Sequence, residues 1–195
     1  DESDPAEMRR GLGKIERNAE RLTRLVNQLL SDAMVLHRAD ARRIEAFDLV
    51  DIVKKAMREA VPMSGDVHVG FISGVSKAPM RGDPVLLGEA IKNLVDNAIR
   101  HGCPPELGPE AEVEVALHTG DEGYVLSVAD RGPGIAPDQR ARVFERFERG
   151  HARSPGAGLG MAIVSKVVEG HGGRIELLDR EGGGLVVRLV LGGAE

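Results

Sequence analysis

The stretch from Glu112 to Ala129 constrains the fold more than any other. Glu112 to His118 alternates apolar and polar residues. Thr119-Gly120-Asp121-Glu122-Gly123 then supplies turn formers, and Tyr124 to Ala129 resumes an extended segment. Two such segments joined so closely pair as an antiparallel hairpin. A lone hairpin is marginal in water, so the pair calls for more strands and a covering layer.

Both are legible. Val67–Ile72 alternates, with Val67, Val69 and Phe71 against His68 and Gly70. Arg174–Leu178 and Leu185–Leu191 read as strands, and Ala46–Leu49 as a short extended piece. Val50–Ala60 has helical spacing and ends before Pro62. Asp83 caps a second helix with Pro84 at its first position, and Gly102 closes it after His101. Met161–Glu169 is a third helix. Pro104–Pro109 reads as a loop. The expected fold is therefore α+β, a two-layer sandwich with helices on one face of a mixed sheet.

A different pattern precedes this domain. From about Ala6 to Ala39, apolar residues recur every three or four positions, among them Leu12, Ile15, Ala19, Leu22, Leu29, Ala33 and Leu36. Pro5 suits the start of such a helix. A long helix with one narrow apolar stripe needs partner helices. Homodimer formation through Ile15, Leu22, Leu29 and Leu36, or rearranged packing, is the expectation; a surface helix packed on its own domain is the alternative.

Composition excludes several classes. A net charge of −5 gives no general attraction to nucleic acid. One cysteine, Cys103, excludes an internal disulfide and a cysteine zinc site. No apolar run approaches the roughly 20 residues that span a bilayer, and no signal peptide is visible, so no membrane contact is expected of these residues.

Three segments carry chemistry. On the helix from Leu86 to His101, Glu89, Asn93 and Asn97 lie four apart on one face, extended by Arg100 and His101. Leu87, Ile91, Leu94 and Ala98 form an apolar face, so the carboxamides are expected outward. A carboxamide oxygen can ligate a hard cation such as magnesium; a plain solvated face is the alternative. Second, Asp130-Arg131-Gly132-Pro133-Gly134-Ile135 follows a strand. Its carboxylate can accept from a ligand amino group while the glycines allow close approach, although a tight turn reads the same way. Third, Gly156-Ala157-Gly158-Leu159-Gly160-Met161 opens a helix, where backbone N–H groups can bind anions, although a flexible loop reads the same way. It lacks the Lys-Ser/Thr pair of a Walker loop and the pattern of a dinucleotide fingerprint. Between the last two, Phe144 and Phe147 flank a glycine-rich stretch, which suggests a lid pinned by aromatic anchors, although simple core packing accounts equally well for either phenylalanine alone.

In order and spacing these segments resemble the catalytic domain of bacterial sensor histidine kinases. Asn93 to His101 is similar to the family's N box, Asp130 to Ile135 to its G1 box, Phe144 to Phe147 to its F box, and Gly156 to Gly160 to its G2 box. The first helix resembles the second helix of the dimerisation and phosphoacceptor domain, notably from Ala19 to Leu30. Residues 1–42 are assigned to that helix and residues 43–195 to the ATP-binding domain.

The resemblance implies the Bergerat ATP-binding fold, ATP and Mg2+. It implies that Asn97, with Asn93, holds the metal, and that Asp130 binds the adenine amino group. Gly132, Gly134 and Ile135 would wall the base. Arg100, His101 and the backbone of Gly156, Gly158, Leu159 and Gly160 would hold phosphates. Phe144, Arg146 and Phe147 would belong to the ATP lid, while the Arg131 side chain would stay off the base. It implies a cognate response regulator as partner and a cytoplasmic domain of an inner-membrane receptor.

Two features refine this. ATP-hydrolysing relatives place a glutamate four residues before the magnesium asparagine, and that position here is Asn93, which cannot act as a general base. No histidine matches the family's acceptor box, so the expectation is a kinase domain unable to phosphorylate itself. A clamp-type ATPase and a nucleotide-binding module without catalysis are the alternatives.

Overall fold

The computed structural model describes residues 43–60, 67–144 and 160–192, together with Asn18. The predicted first helix, apart from Asn18, and the segment carrying Arg146, Phe147, Gly156, Gly158 and Leu159 lie outside the described residues.

Strand β1 (Glu45–Asp48) runs into helix α1 (Leu49–Ala60), followed by β2 (His68–Ser73), β3 (Pro79–Gly82) and helix α2 (Pro84–His101). Strands β4 (Glu112–Gly120) and β5 (Gly123–Ala129) form the hairpin. Helix α3 (Gly160–Gly170) precedes β6 (Arg174–Asp179) and β7 (Leu185–Gly192). The main sheet has the order β2-β4-β5-β7-β6. β2 pairs parallel with β4 and the other pairs are antiparallel, so the sheet is mixed as expected.

The alternation seen in the sequence becomes the core. Val113, Val115 and Leu117 of β4 are buried, as are Leu126 and Val128 of β5 and Leu185, Val187, Leu189 and Leu191 of β7. Helix α2 lays Leu87, Ile91, Leu94 and Val95 on that layer, and α3 adds Val164 and Val168. Each fully buried leucine or valine contributes about 1.5–3 kcal/mol by leaving water. On the far face of the sheet Ser127, Arg188 and Glu176 sit side by side across three strands, next to the buried pair Val125 and Val190, and Arg188 Nη1 donates to Glu176 Oε2 at 3.2 Å.

The cap of α2 forms as its sequence requires. Asp83 Oδ1 accepts from Val85 N–H at 3.0 Å and Leu86 N–H at 3.1 Å, with Pro84 opening the helix. His171, just past α3, adds a bond that the sequence does not announce. Its Nε2 accepts from Asp83 N–H at 2.9 Å while Nδ1 lies 2.7 Å from the Val167 carbonyl. This pairing requires the Nδ1–H tautomer. The ring ties the start of α2 to the end of α3.

Three expectations change. The five-residue turn shrinks to Asp121 and Glu122, because Gly120 and Gly123 pair with each other and Gly123 takes a φ of 131°. Pro104–Pro109 is not plain loop: 3-10 turns run from Pro105 to Glu110, interrupted at Gly108. And β3, unforeseen, pairs antiparallel with β1.

Candidate functional site

Helix α2 and the end of β5 build the site between them. Asn93 and Asn97 lie one turn apart on α2, but their face does not point to solvent as expected. Asn93 is buried. The cause is α3, whose first residue packs there: a Cβ on Gly160 would lie 3.5 Å from Asn97 Nδ2 and 3.9 Å from Asn93 Oδ1. The N-terminus of α3, with its outward N–H groups, therefore sits beside the two carboxamides. Arg100 lies half-exposed farther along the helix, and its Nη2 is 3.7 Å from Asp96 Oδ2, one turn back. Burial pushes the Asp96 carboxyl up, while Arg100 and Lys92 pull it down. His101 is exposed at the helix end.

Asp130 is 6% exposed at the end of β5. Its Oδ1 accepts from Gly132 N–H at 2.9 Å and from Leu185 N–H at 3.3 Å. Oδ2 makes no hydrogen bond among the described residues. Burial pushes the Asp130 carboxyl up, against the pull of its two backbone donors and of Arg180.

Glycines make room for this carboxylate. A Cβ on Gly102 would lie 2.2 Å from Asp130 Cβ and Cγ. Gly102 has φ −90° and ψ −7°, which any residue adopts, so it is glycine for the sake of Asp130 and not for the helix end. A Cβ on Gly132 would lie 2.6 Å from Gly102 Cα, which presses the Asp130 turn onto the end of α2. Gly184, in the β6–β7 turn, has φ 115°, and a Cβ there would lie 2.0 Å from the Asp130 carbonyl oxygen.

Beyond Asp130, Gly134 takes a φ of 69°, and Ile135 packs against the core. Arg140 donates from Nε to the Ile135 carbonyl at 3.0 Å and from Nη1 to the Leu177 carbonyl at 3.2 Å, and it pairs with Asp179. The arginine thus fastens this segment to the edge strand β6. Phe144 is half-buried at the end of a 3-10 turn that lies against α3.

The structure thus gathers Asn93, Asn97 and Gly160 at one place, and Asp130, Gly132 and the end of α2 at another. Gly102 abuts Asp130 and Asn97 lies five residues earlier, so the two places are separated by roughly 7.5 Å along the helix axis. A neutral oxygen pair beside a helix N-terminus suits a cation already bound to phosphates. A buried acceptor at the other end suits a ligand amino group.

The profile of the histidine kinase-, DNA gyrase B-, and HSP90-like ATPases matches residues 82–194, which include both places. The chain belongs to that family. It is the ATP-binding catalytic domain of a sensor histidine kinase. It is 38% identical over 164 residues to the signal transduction histidine-protein kinase/phosphatase MprB of Mycolicibacterium paratuberculosis, a match covering 82% of this chain and 30% of the relative. It is 31% identical over 185 residues to the sensor protein KdpD of Escherichia coli, covering 93% of this chain and 20% of KdpD. The chain therefore spans less than a third of the length of either. Among solved structures it resembles the mycobacterial sensor histidine kinase MprB, with a TM-score of 0.66 and 33% identity over 76% of this chain and 97% of that one. It also resembles full-length ShkA in complex with AMPPNP, with a TM-score of 0.71 and 26% identity over 96% of this chain and 40% of that one.

Sequence reasoning missed three residues of this candidate site. Gly102 read only as a helix stop and Gly184 only as a residue between two expected strands, because the neighbour each one clears space for is distant in sequence. Arg140 carried no signal. Among the described residues no helix is long and apolar enough to cross a membrane.

Proposed function

We propose that this domain binds Mg–ATP between α2, the Asp130 turn and the start of α3, and passes the γ-phosphoryl group to a histidine on a helix outside these residues. The observation that carries the reading is the division of one helix between two ligand ends. Asn93 and Asn97 face Gly160 where phosphates and their metal would sit, and the helix terminus clears space for Asp130 where the base would sit.

Asp130 accepts a hydrogen bond from the adenine amino group through Oδ2, with Gly132, Gly134 and Ile135 beside the base. Asn97 and Asn93 would hold the magnesium ion, which when bound offsets phosphate charge. Arg100, His101 and the backbone N–H groups of Gly156, Gly158, Leu159 and Gly160 hold the phosphates. Phe144, Arg146 and Phe147 belong to a lid. In the transfer, an acceptor imidazole nitrogen forms a bond to the γ-phosphorus, the bond from that phosphorus to ADP breaks, and the imidazole releases its proton. Positioning and charge stabilisation supply most of the catalysis in such steps. Asn93 supports transfer over hydrolysis, since a carboxamide cannot deprotonate water.

Residues 1–42 form the second helix of the dimerisation domain, residues 43–195 the catalytic domain, and the whole protein dimerises and relays phosphate to a response regulator aspartate. ATP places the domain in the cytoplasm. The test is radiolabelled ATP supplied with the chain and, separately, a peptide bearing a sensor kinase acceptor helix. Labelled peptide with little free phosphate is expected. Rapid phosphate release without peptide labelling would instead make the domain a clamp-type ATPase, and nucleotide binding with neither would make it a binding module.

A further inference from the structure

Arg180, just past β6, places a charge where charges are uncommon. Its side chain is 12% exposed, and Nη1 is buried without a hydrogen-bond partner among the described residues. A buried cation with an unmet donor is costly, so a reason is needed for its retention. Nη2 lies 3.4 Å from Glu112 Oε2, at the start of β4. The same Glu112 oxygen is 3.8 Å from Arg131 Nε, in the residue that follows Asp130. Arg131 Nη1 in turn donates to the Glu181 carbonyl at 3.2 Å, next to Arg180.

The circuit joins the two segments that hold the Asp130 carboxylate. Gly132, on the Asp130 turn, and Leu185, at the start of β7, supply the two N–H groups on Oδ1. Arg180 and Glu181 belong to the β6–β7 turn that delivers Leu185, closed by Arg180 N–H to Gly184 O at 3.2 Å and Gly183 N–H to Arg180 O at 3.0 Å. Arg131 belongs to the turn that delivers Gly132. Glu112 bridges the arginines, so the relative placement of the two donors depends on it.

Resting on the reading of Asp130 as the adenine acceptor, we propose that Arg180, with Glu112 and Arg131, is a positioning residue for adenine recognition. The circuit holds Gly132 and Leu185 on Oδ1, and thereby keeps Oδ2 aimed as the acceptor that distinguishes a purine bearing a 6-amino group from one without it. The groups facing Asp130 fit this role. Arg180 is the cation that pulls its carboxyl down against burial, and Cys103, whose thiol is pushed up by burial, adds no charge of its own.

The test measures calorimetric affinities of the full chain for ATP and for purine riboside triphosphate, which lacks the amino group. Arg180→Met, Glu112→Gln and Arg131→Met are each compared with Asp130→Asn. The parent should prefer ATP, and Asp130→Asn should abolish the preference. Each circuit variant should reduce the preference by about tenfold or less, through ATP affinity alone, the size of a weakened hydrogen bond to a charged acceptor. Glu112→Asp should restore part of what Glu112→Gln loses. Equal weakening for both nucleotides, or an unchanged preference, in all three circuit variants would overturn the proposal and leave Asp130 standing. A preference that survives Asp130→Asn would overturn the adenine reading itself. Thermal melting of each variant separates loss of fold from loss of preference.

Discussion

Replacing Asp130 with asparagine should separate stability from recognition. Oδ1 carries both backbone hydrogen bonds of the side chain, from Gly132 and Leu185. An asparagine oxygen can accept the same two, so the turn should persist. The substitution also removes a buried negative charge. Burial raises the carboxyl's proton affinity in the folded domain above its ordinary value. Such a group makes folding less favourable as pH rises from the ordinary carboxylate range through the raised value. Asp130→Asn should therefore melt at or above the parent temperature at neutral pH, and its advantage should shrink as pH falls toward the ordinary carboxylate range. For the nucleotide the sign reverses. The amide nitrogen would take the place of Oδ2 and set a donor against the adenine amino group. A lost hydrogen bond to a charged acceptor costs about 1.5–3 kcal/mol, or roughly 10–150-fold in Kd. Calorimetric titration with ATP reads the affinity, and thermal scans at neutral and mildly acidic pH read the stability. Undiminished ATP affinity, or a clear loss of melting temperature at neutral pH, would refute the reasoning.

Gly102→Ala meets no backbone penalty, yet its Cβ would lie 2.2 Å from the Asp130 side chain, so ATP affinity should fall by about tenfold or more in the same titration. Gly184→Ala combines a φ of 115° with a 2.0 Å contact on the Asp130 carbonyl. It should lower Tm well beyond the ~1–3 kcal/mol of backbone strain alone, and more than Gly183→Ala, which has φ 99° and open space. Asn97→Ala should leave the fold intact and remove the gain in ATP affinity that magnesium confers, read by titrations with and without a chelator. Asp83→Ala deletes a cap that accepts two N–H groups and should cost about 0.5–2 kcal/mol in denaturant unfolding.

Much of the architecture was legible because its causes are local. The Asp83-Pro84 start of α2, the alternation of β4 and the apolar run of β7 each state their own structure. Strand β3 was not legible: Pro79-Met80-Arg81-Gly82 has no readable period and becomes a strand only by pairing with β1. The Asn93 face read as outward because helical periodicity ranks faces only by their own residues. Its burial depends on α3, whose first residue, Gly160, packs beside the carboxamides. Arg131 read only as a side chain kept off the base, and its place beside Glu112 and Glu181 shows what it holds.

By itself the sequence marked the residues to which the proposed function assigns chemistry, because carboxamides four apart, an aspartate before glycines and glycines before a helix are properties of short segments. It also pointed to a mixed sheet with covering helices, because most of the strands and helices show their period of two or of three to four residues, or an apolar run, in their own sequence. Only the tertiary structure decided why Gly102, Gly132 and Gly184 are glycines, that one helix serves both ends of the site, and that Glu112 couples two arginines behind Asp130. Those facts arise where segments distant in the chain compete for the same few ångströms, and steric exclusion between such segments leaves no mark on either one alone.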